Sequence, residues 1–383
     1  MYFKITNQEE CHHGYQYQTG LNVLDKPFQK EGSCVIGGLY FTTLEHLAEF
    51  YGYGVWLRVV IIPEGAEMVM DPEGGKWRSN KIILGEKYPL FDVKTIKKFN
   101  LKITSYYVDM ASQNGRADVL DWCKSFKLDS MLKCTDGAID GASRDGHVNV
   151  LEWWLKAHQE SGLVLKYTER AMDRASRKGH VNVLDRWLKT YHESSCLVLK
   201  YTCNAIDQAS LEGHVEVLEW WKNSGLELKY TYGAIDWTYV DSRLNTLEWW
   251  KNSGLYLRYT SHNIDWASSH NCVDVLEWWK NSGLELKYTE HAIDWASRNG
   301  CLDVLMWWKA SGLKLKYTED AIDGAIMDSR LDVLKWWLMV NNKFGLEFKY
   351  SQLPAPYIFG KNQNDGSGSE TVFSWWKSVG LPL

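Results

Sequence analysis

Long apolar runs are missing from this chain of 383 residues. Stretches such as Val59 to Ile62 fall far short of the roughly 20 residues that a membrane-crossing helix needs. The opening MYFKITNQEECHHG also lacks the charged-then-apolar order of a secretion signal. No block of Lys and Arg stands out, and a formal net charge of -5 supplies no basic stripe for phosphates, which excludes a general nucleic-acid binder. The eight cysteines, at 11, 34, 123, 134, 196, 203, 272 and 301, show no CxxC spacing. Reduced thiols used as small hydrophobes are therefore expected, with neither disulfides nor a zinc site. No phosphate loop, dinucleotide fingerprint or nucleophile-base motif is present, so no cofactor is expected.

Tryptophan is in excess instead. There are 21, and all but Trp56 and Trp77 lie at or beyond Trp122. Trp221, Trp250, Trp279, Trp308 and Trp337 follow one another at an interval of 29, as 308 minus 279 shows. A fixed period of this size marks a structural repeat, and from about Leu101 onward nine units can be counted. Each has a first helix around Ala-Ile-Asp, a tight turn, a second helix around Val-Leu-Glu-Trp-Trp-Lys, and a connector Gly-Leu-x-Leu-Lys-Tyr-Thr.

The connector threonines 168, 202, 231, 260, 289 and 318 are placed to cap the next first helix. Gly146, Gly179, Gly213 and Gly300 end first helices where a left-handed residue is needed, and Ser242, Asn271 and Ser329 take that position elsewhere. From Trp154 to Gly162 there are eight residues, against four from Trp279 to Gly283. The second helices at Trp154, Trp187 and Trp337 are thus predicted to be about one turn longer. The last unit places Pro354 and Pro356 where a first helix would run, predicts a loop over 360–369, and closes on a helix around Phe373, Trp375 and Trp376 as a terminal cap.

Residues 1–98 carry no repeat copy. The runs 55–62, 67–70 and 76–84 read as strands, and the capping-box spacing of Thr42 and Glu45 predicts a helix through Tyr51. The expected organisation is a small α+β domain over 1–98, then an α solenoid over 99–383 whose segment 351–383 is a degenerate cap.

The pattern AIDxASxxGHxxVLxWWxxxGL resembles the two-helix part of ankyrin repeats, with Gly146-His147, Gly179-His180 and Gly213-His214 at the turn. It departs where Thr-Pro-Leu-His would stand, as in Glu290-His291-Ala292-Ile293-Asp294, and the connector from Gly283 to Ala292 is about four residues shorter, which implies a reduced or absent finger hairpin. The stretch 34–93 is similar to the leader domain of ankyrin proteins from mimivirus-like giant viruses of amoebae. The two resemblances imply a giant-virus protein in the host cytoplasm or the particle, with a host or viral protein as partner and no reaction. A shorter resemblance links His13-Gly14, Gly38-Leu39-Tyr40-Phe41 and Tyr51 to ADP-ribosyltransferase folds, with Glu73 and Glu86 merely near, and supplies the alternative of a transferase targeted by the repeats.

Trp237, Trp266 and Trp295 occupy the slot after the first-helix Asp, where other units put Met110, Gly141, Arg174, Gln208 and Gly324. By the ankyrin match this slot faces the concave side. The three Trp, with Arg174 and Gln208, are the candidate binding residues, against the alternative that they fill space left by the short connectors. The paired Trp of the second helices are assigned to the core. Asp109, Asp140, Asp173, Asp207, Asp236, Asp265, Asp294 and Asp323 form a column spaced ~10 Å apart, too far for a metal or an acid/base pair. They are expected to anchor neighbouring units, with Lys287-Tyr288 and Lys316-Tyr317 as candidate partners. The turn histidines are given no chemical role, and Cys11-His12-His13 lacks a second cluster that would complete a metal site.

Overall fold

A computed structural model describes residues 1–126, 135–193, 197–236, 243–351 and 372–380. They fall into two compact units, Met1–Thr202 and Cys203–Leu383.

The first unit begins with an antiparallel sheet. Seven strands run in the order β4-β9-β6-β1-β5-β8-β7, where β1 is Tyr2–Thr6, β4 Gly20–Val23, β5 Leu39–Thr43, β6 Trp56–Ile61, β7 Met68–Met70, β8 Lys76–Ser79 and β9 Lys81–Pro89. A separate hairpin joins β2, Cys11–His12, to β3, Tyr15–Gln16. Tyr17, Leu39, Phe41, Val60, Ile82 and Leu84 form the core cluster of the strand region. Strand β1 pairs with β6 along all of Tyr2 to Thr6, but with β5 only at Tyr2 and Phe3, so the sheet opens between β1 and β5.

Two expectations fail here. Thr42 does not begin a helix but sits in β5, its hydroxyl donating to the Gly75 carbonyl at 2.6 Å, and the nearby helix is a 3-10 turn over Leu47–Tyr53. The run 76–84 is two strands, β8 and β9, separated at Asn80. β-branched residues mark strands wherever they fall, whereas capping-box spacing also arises by chance in a strand.

Helix α1, Val93–Phe99, is capped by the Asp92 carboxylate, which accepts from the Lys94 and Thr95 amides. The repeats then start with α2, Ser105–Gln113, and α3, Ala117–Ser125, followed by α4, Asp136–Arg144, with α5, Val148–Ser161, and α6, Arg170–Arg177, with α7, Val181–Glu193. The first repeat is fastened to the strand region by tyrosines. Tyr107 donates to the Leu90 carbonyl at 2.7 Å, Tyr51 donates to the Lys102 carbonyl at 2.9 Å, and the two rings meet edge to face at 4.9 Å.

The second unit continues the same motif. Its pairs are α8, Asn204–Glu212, with α9, Val215–Asn223; α10, Gly233–Asp236, with α11, Leu244–Asn252; α12, His262–Ser269, with α13, Val273–Asn281; α14, His291–Asn299, with α15, Leu302–Ala310; and α16, Asp320–Met327, with α17, Leu331–Phe344. A closing helix, α18, spans Val372–Ser378, and its Trp375 and Trp376 are buried. The Pro354 and Pro356 segment and the loop over 360–369 lie outside the described residues. Helices α5, α7 and α17 have 14, 13 and 14 residues, against 9 in α9, α11, α13 and α15, the extra turn expected from their sequence spacing. The turn glycines Gly146, Gly179, Gly213 and Gly300 are left-handed, as are Asn271 and Ser329; Ser242 is outside the described residues. Among the described residues the connectors hold no strand, in keeping with an absent finger.

Candidate functional site

Four ladders hold one repeat to the next, and what they leave uncovered is the surface available to a partner. The first is a clasp between the column of aspartates and the connector threonines. Asp109 accepts from the Thr135 amide at 3.1 Å and hydroxyl at 2.6 Å, and the same pair of bonds links Asp140 to Thr168, Asp173 to Thr202, Asp207 to Thr231, Asp236 to Thr260, Asp265 to Thr289 and Asp294 to Thr318. Ser351 does the same for Asp323. The hydroxyls of Thr168, Thr231, Thr260, Thr289 and Thr318 also accept from the first turn of their own helix, the capping role expected of them.

The partners proposed for the aspartates from sequence were therefore wrong. Lys287 and Lys316 instead donate to the Tyr259 and Tyr288 carbonyls, their ammonium groups 4.3 Å above those same tyrosine rings. The tyrosines reach forward in turn, Tyr259 to the Glu285 carbonyl and Tyr288 to the Lys314 carbonyl, and their rings pack on Trp279 and Trp308 at 4.8 and 4.7 Å.

Burial dominates the electrostatics of five of these aspartates. It pushes the carboxyls of Asp109, Asp140, Asp207, Asp236 and Asp294 above their ordinary value, although the threonine bonds pull the other way. A folded pKa above the unfolded one gives stability that is complete below the unfolded value near 3.9 and lost as pH rises through the folded value. Asp236→Asn keeps an acceptor for the Thr260 amide but carries no charge. Its stability relative to the parent is expected to be better at pH 7 than at pH 4. Asp236→Ala strands the Thr260 amide and is expected to cost about 1–3 kcal/mol at both pH values. Urea titrations of the three proteins at the two pH values measure both effects.

The paired tryptophans divide their labour, which corrects their joint assignment to the core. The second of each pair, Trp154, Trp221, Trp250, Trp279, Trp308 and Trp337, is buried. The first, at 153, 220, 249, 278 and 307, is half-buried, whereas Trp336, beside Trp337 on the longer α17, is itself buried. Trp249, Trp278 and Trp307 each donate to the glutamate of the preceding second helix, Glu219, Glu248 and Glu277, at 2.7–2.9 Å. Those bonds, with help from Asn223, Asn252 and Asn281, hold the glutamates below the ordinary carboxylate range.

The buried indoles find serines. Trp154 donates to Ser112, Trp187 to Ser143, Trp250 to Ser210, Trp308 to Ser268 and Trp337 to Ser297, in each case one repeat back. Trp279 has no such serine, because the preceding repeat carries Tyr239 at that sequence position. Its indole donates to Asn263 at 2.8 Å, a buried residue standing where the first helices α4, α6, α8, α10, α14 and α16 have Ala. A single polar substitution thus satisfies a donor that would otherwise be stranded.

The candidate binding slot differs in kind from these ladders. Gly141 and Gly324 occupy it as buried residues packed close against the side chains of Gln113 and Arg298. Met110 and Gln208 are half-buried in it, and Arg174 is exposed. Gln208 lies on α8 of the second unit and Arg174 on α6 of the first. Trp237 is outside the described residues. Trp266 and Trp295 are brought together, ring centroids 5.6 Å apart at 62°. Each is also stacked on a histidine four residues away along the chain. His270 lies 5.2 Å from Trp266 at 27°, and His291 lies 4.5 Å from Trp295 at 2°. Both histidines are exposed and both tryptophans half-buried. The histidines were missed from sequence, although their separation of four residues from each Trp was the available signal.

A second concavity lies in the strand region, a cleft of about 500 Å³ where β1 and β5 part. Lys4, His13, Tyr17, Gly38, Tyr40 and Phe41 are among its walls. Tyr51, Glu73 and Glu86 are not among them, and the carboxylate there is Asp25. His12 accepts from the Asn7 amide at 3.1 Å, and burial pushes it down to about 4. Among the described residues no group of three His, Cys, Asp or Glu could hold a metal.

No family model matches the chain. Among curated proteins, an ankyrin repeat protein of Acanthamoeba polyphaga mimivirus is 46% identical over 100 residues, covering 25% of this chain and 50% of the relative. Another ankyrin repeat protein of the same virus is 36% identical over 139 residues, 33% of this chain and 43% of the relative. An uncharacterized protein of that virus is 41% identical over 101 residues, which is 25% of this chain and 73% of the relative. The chain belongs to the mimivirus-type ankyrin-repeat proteins. It spans half the length or less of the first two ankyrin-repeat relatives. A maize pentatricopeptide repeat protein aligns over 67% of this ankyrin-repeat chain and 41% of its own with a TM-score of 0.33 and 10% identity. No helix among the described residues of this ankyrin-repeat protein is long and apolar enough to cross a membrane.

Proposed function

We propose that this ankyrin-repeat protein is a non-enzymatic interaction scaffold of a giant virus, acting in the host cytoplasm or carried in the virion. Its partner is a host or viral protein held on the second unit. The Trp266–Trp295 cluster carries this reading. The slot accepts Gly141 and Gly324 between packed repeats, so stacking does not need an aromatic ring there. Two indoles fixed by mutual contact and by His270 and His291 are nevertheless left partly open to solvent. Rigid aromatics of this sort lose little entropy on binding and recur where interfaces concentrate their affinity. The strand region of residues 1–98 is proposed to cap the first repeat through Tyr51 and Tyr107.

The test is affinity capture from infected amoebal lysate with the parent chain and with Trp237, Trp266 and Trp295 changed together to Ser. Capture of the partner found with the parent is expected to fall at least tenfold, with the melting transition retained. Unaltered capture by a folded variant removes the stripe from the interface.

A second reading is a transferase in the β1–β5 cleft, favoured by His13 and Gly38 to Phe41 meeting there. It predicts transfer from labelled NAD that is lost in His13→Ala.

A further inference from the structure

We propose that Lys4 is a reactive amine that captures one-ring aldehydes or ketones in the β1–β5 cleft as imines. The side chain lies in the middle of β1, where the ladder to β5 has stopped, and lines the cleft although the residue is only 5% exposed. Its Nζ donates to the Tyr40 carbonyl at 2.9 Å and sits 4.2 Å over the Tyr17 ring. No carboxylate among the described residues lies within ion-pair distance of it. Glu10 is held by Arg58 at 2.6 Å; His12 and Tyr17 lie beside the amine, and the cleft also holds Asp25, Lys26 and Lys76, of which the Asp25 carboxylate makes no ion pair with it. Burial keeps the His12 ring uncharged and raises the Tyr17 phenol, so at neutral pH the phenol supplies no countercharge to the amine.

An ammonium buried with one carbonyl and one ring face is poorly compensated, and burial lowers this amine to about 7. Near neutral pH much of the population therefore holds a free lone pair. Of its two remaining N–H bonds, one is directed at Tyr40. Desolvation in an aromatic pocket is one way lysine amines are activated as nucleophiles. In the reaction the Nζ lone pair attacks the carbonyl carbon to give a carbinolamine. The carbonyl oxygen then leaves as water with both amine protons, and a C=N bond remains. Tyr15, Phe41 and Phe50 supply apolar walls for the ring, and a volume of about 500 Å³ admits a ligand of that size. The reaction uses no oxidant, metal or cofactor.

The probe is salicylaldehyde with cyanoborohydride, applied to the intact chain at pH 7 and followed by peptide mapping, with fragmentation separating the Lys4 Nζ from the Met1 amine. An exposed lysine, near 10.4, is neutral in roughly one molecule in 2,500 at this pH. Lys4 is expected to be labelled at least tenfold faster than the exposed Lys251 and Lys280. Its rate should level off above about pH 8. In Lys4→Arg the fast adduct should vanish. An unlabelled Lys4, or one labelled no faster than Lys251 and Lys280, overturns the proposal on the parent protein alone, whether or not the variant folds.

Discussion

Trp308→Ala is expected to lower the unfolding free energy by about 3–5 kcal/mol, the range found when a fully buried large side chain is cut to a methyl. Trp308 is 1% exposed, so nearly all of its surface is lost from contact. It packs against Tyr288 at 4.7 Å and edge to face against Trp307 at 5.1 Å, and its indole donates to Ser268 at 3.0 Å. Ser268 also donates to the Ile264 carbonyl, so removing the indole does not leave the serine without a partner. Loss of packing is thus the main cost, and Trp308→Phe should recover a large part of it. The damage should also be local. Repeats that touch only their neighbours sum their stabilities along the stack, so hydrogen exchange should quicken from α12 to α16 and far less in α8 and α9. Equal loss of protection through the whole second unit would contradict near-neighbour stacking.

That locality follows from chemistry written in the repeat, yet only part of it can be read there. The period of 29, the left-handed turn residues and the extra turn of α5, α7 and α17 were legible because each depends on spacing within one unit. The Asp–Thr clasp was not. Asp294 and Thr318 are 24 residues apart and meet only after two repeats have stacked, while Lys316 and Tyr317 are adjacent in the same connector and look equally suited to a carboxylate. Two adjacent Trp on a helix are 100° apart, so they turn to different neighbours, and the helical period should have separated Trp307 from Trp308. Asn263 was invisible as a compensating residue, since its value rests on what stands in the previous repeat. In the strand region the short apolar runs marked strands, but pairing between β1 and β6 joins residues fifty or more positions apart. The opening beside β1 and the burial of Lys4 both depend on that pairing.

A substitution at the junction of the 3-10 helix and β6 tests that pairing most severely. Gly54→Ala is expected to cost about 3 kcal/mol or more, the upper end of what overpacking imposes. The backbone angle is not the reason, because φ at Gly54 is 169°, an extended value open to any residue. The obstruction is space. A Cβ there would lie 2.1 Å from the Thr6 carbonyl oxygen, 2.3 Å from its carbon and 2.6 Å from the Asn7 nitrogen. All three are main-chain atoms, so no side chain can swing aside. The neighbouring Val55 amide donates to that same Thr6 carbonyl at 2.9 Å, and the Val55 carbonyl accepts from Leu90 at 2.8 Å, so relief would pull β1 away from two bonded segments. Gly85→Ala is the matched control. Its Cβ would find only ordinary contacts, at 3.6 Å and beyond, and its change in stability should stay within about 1 kcal/mol. Thermal unfolding of the two variants, with hydrogen exchange followed at the β1 amides, distinguishes them. Equal behaviour would mean that β1 does not approach Gly54 as closely as its contacts with Thr6 and Asn7 require.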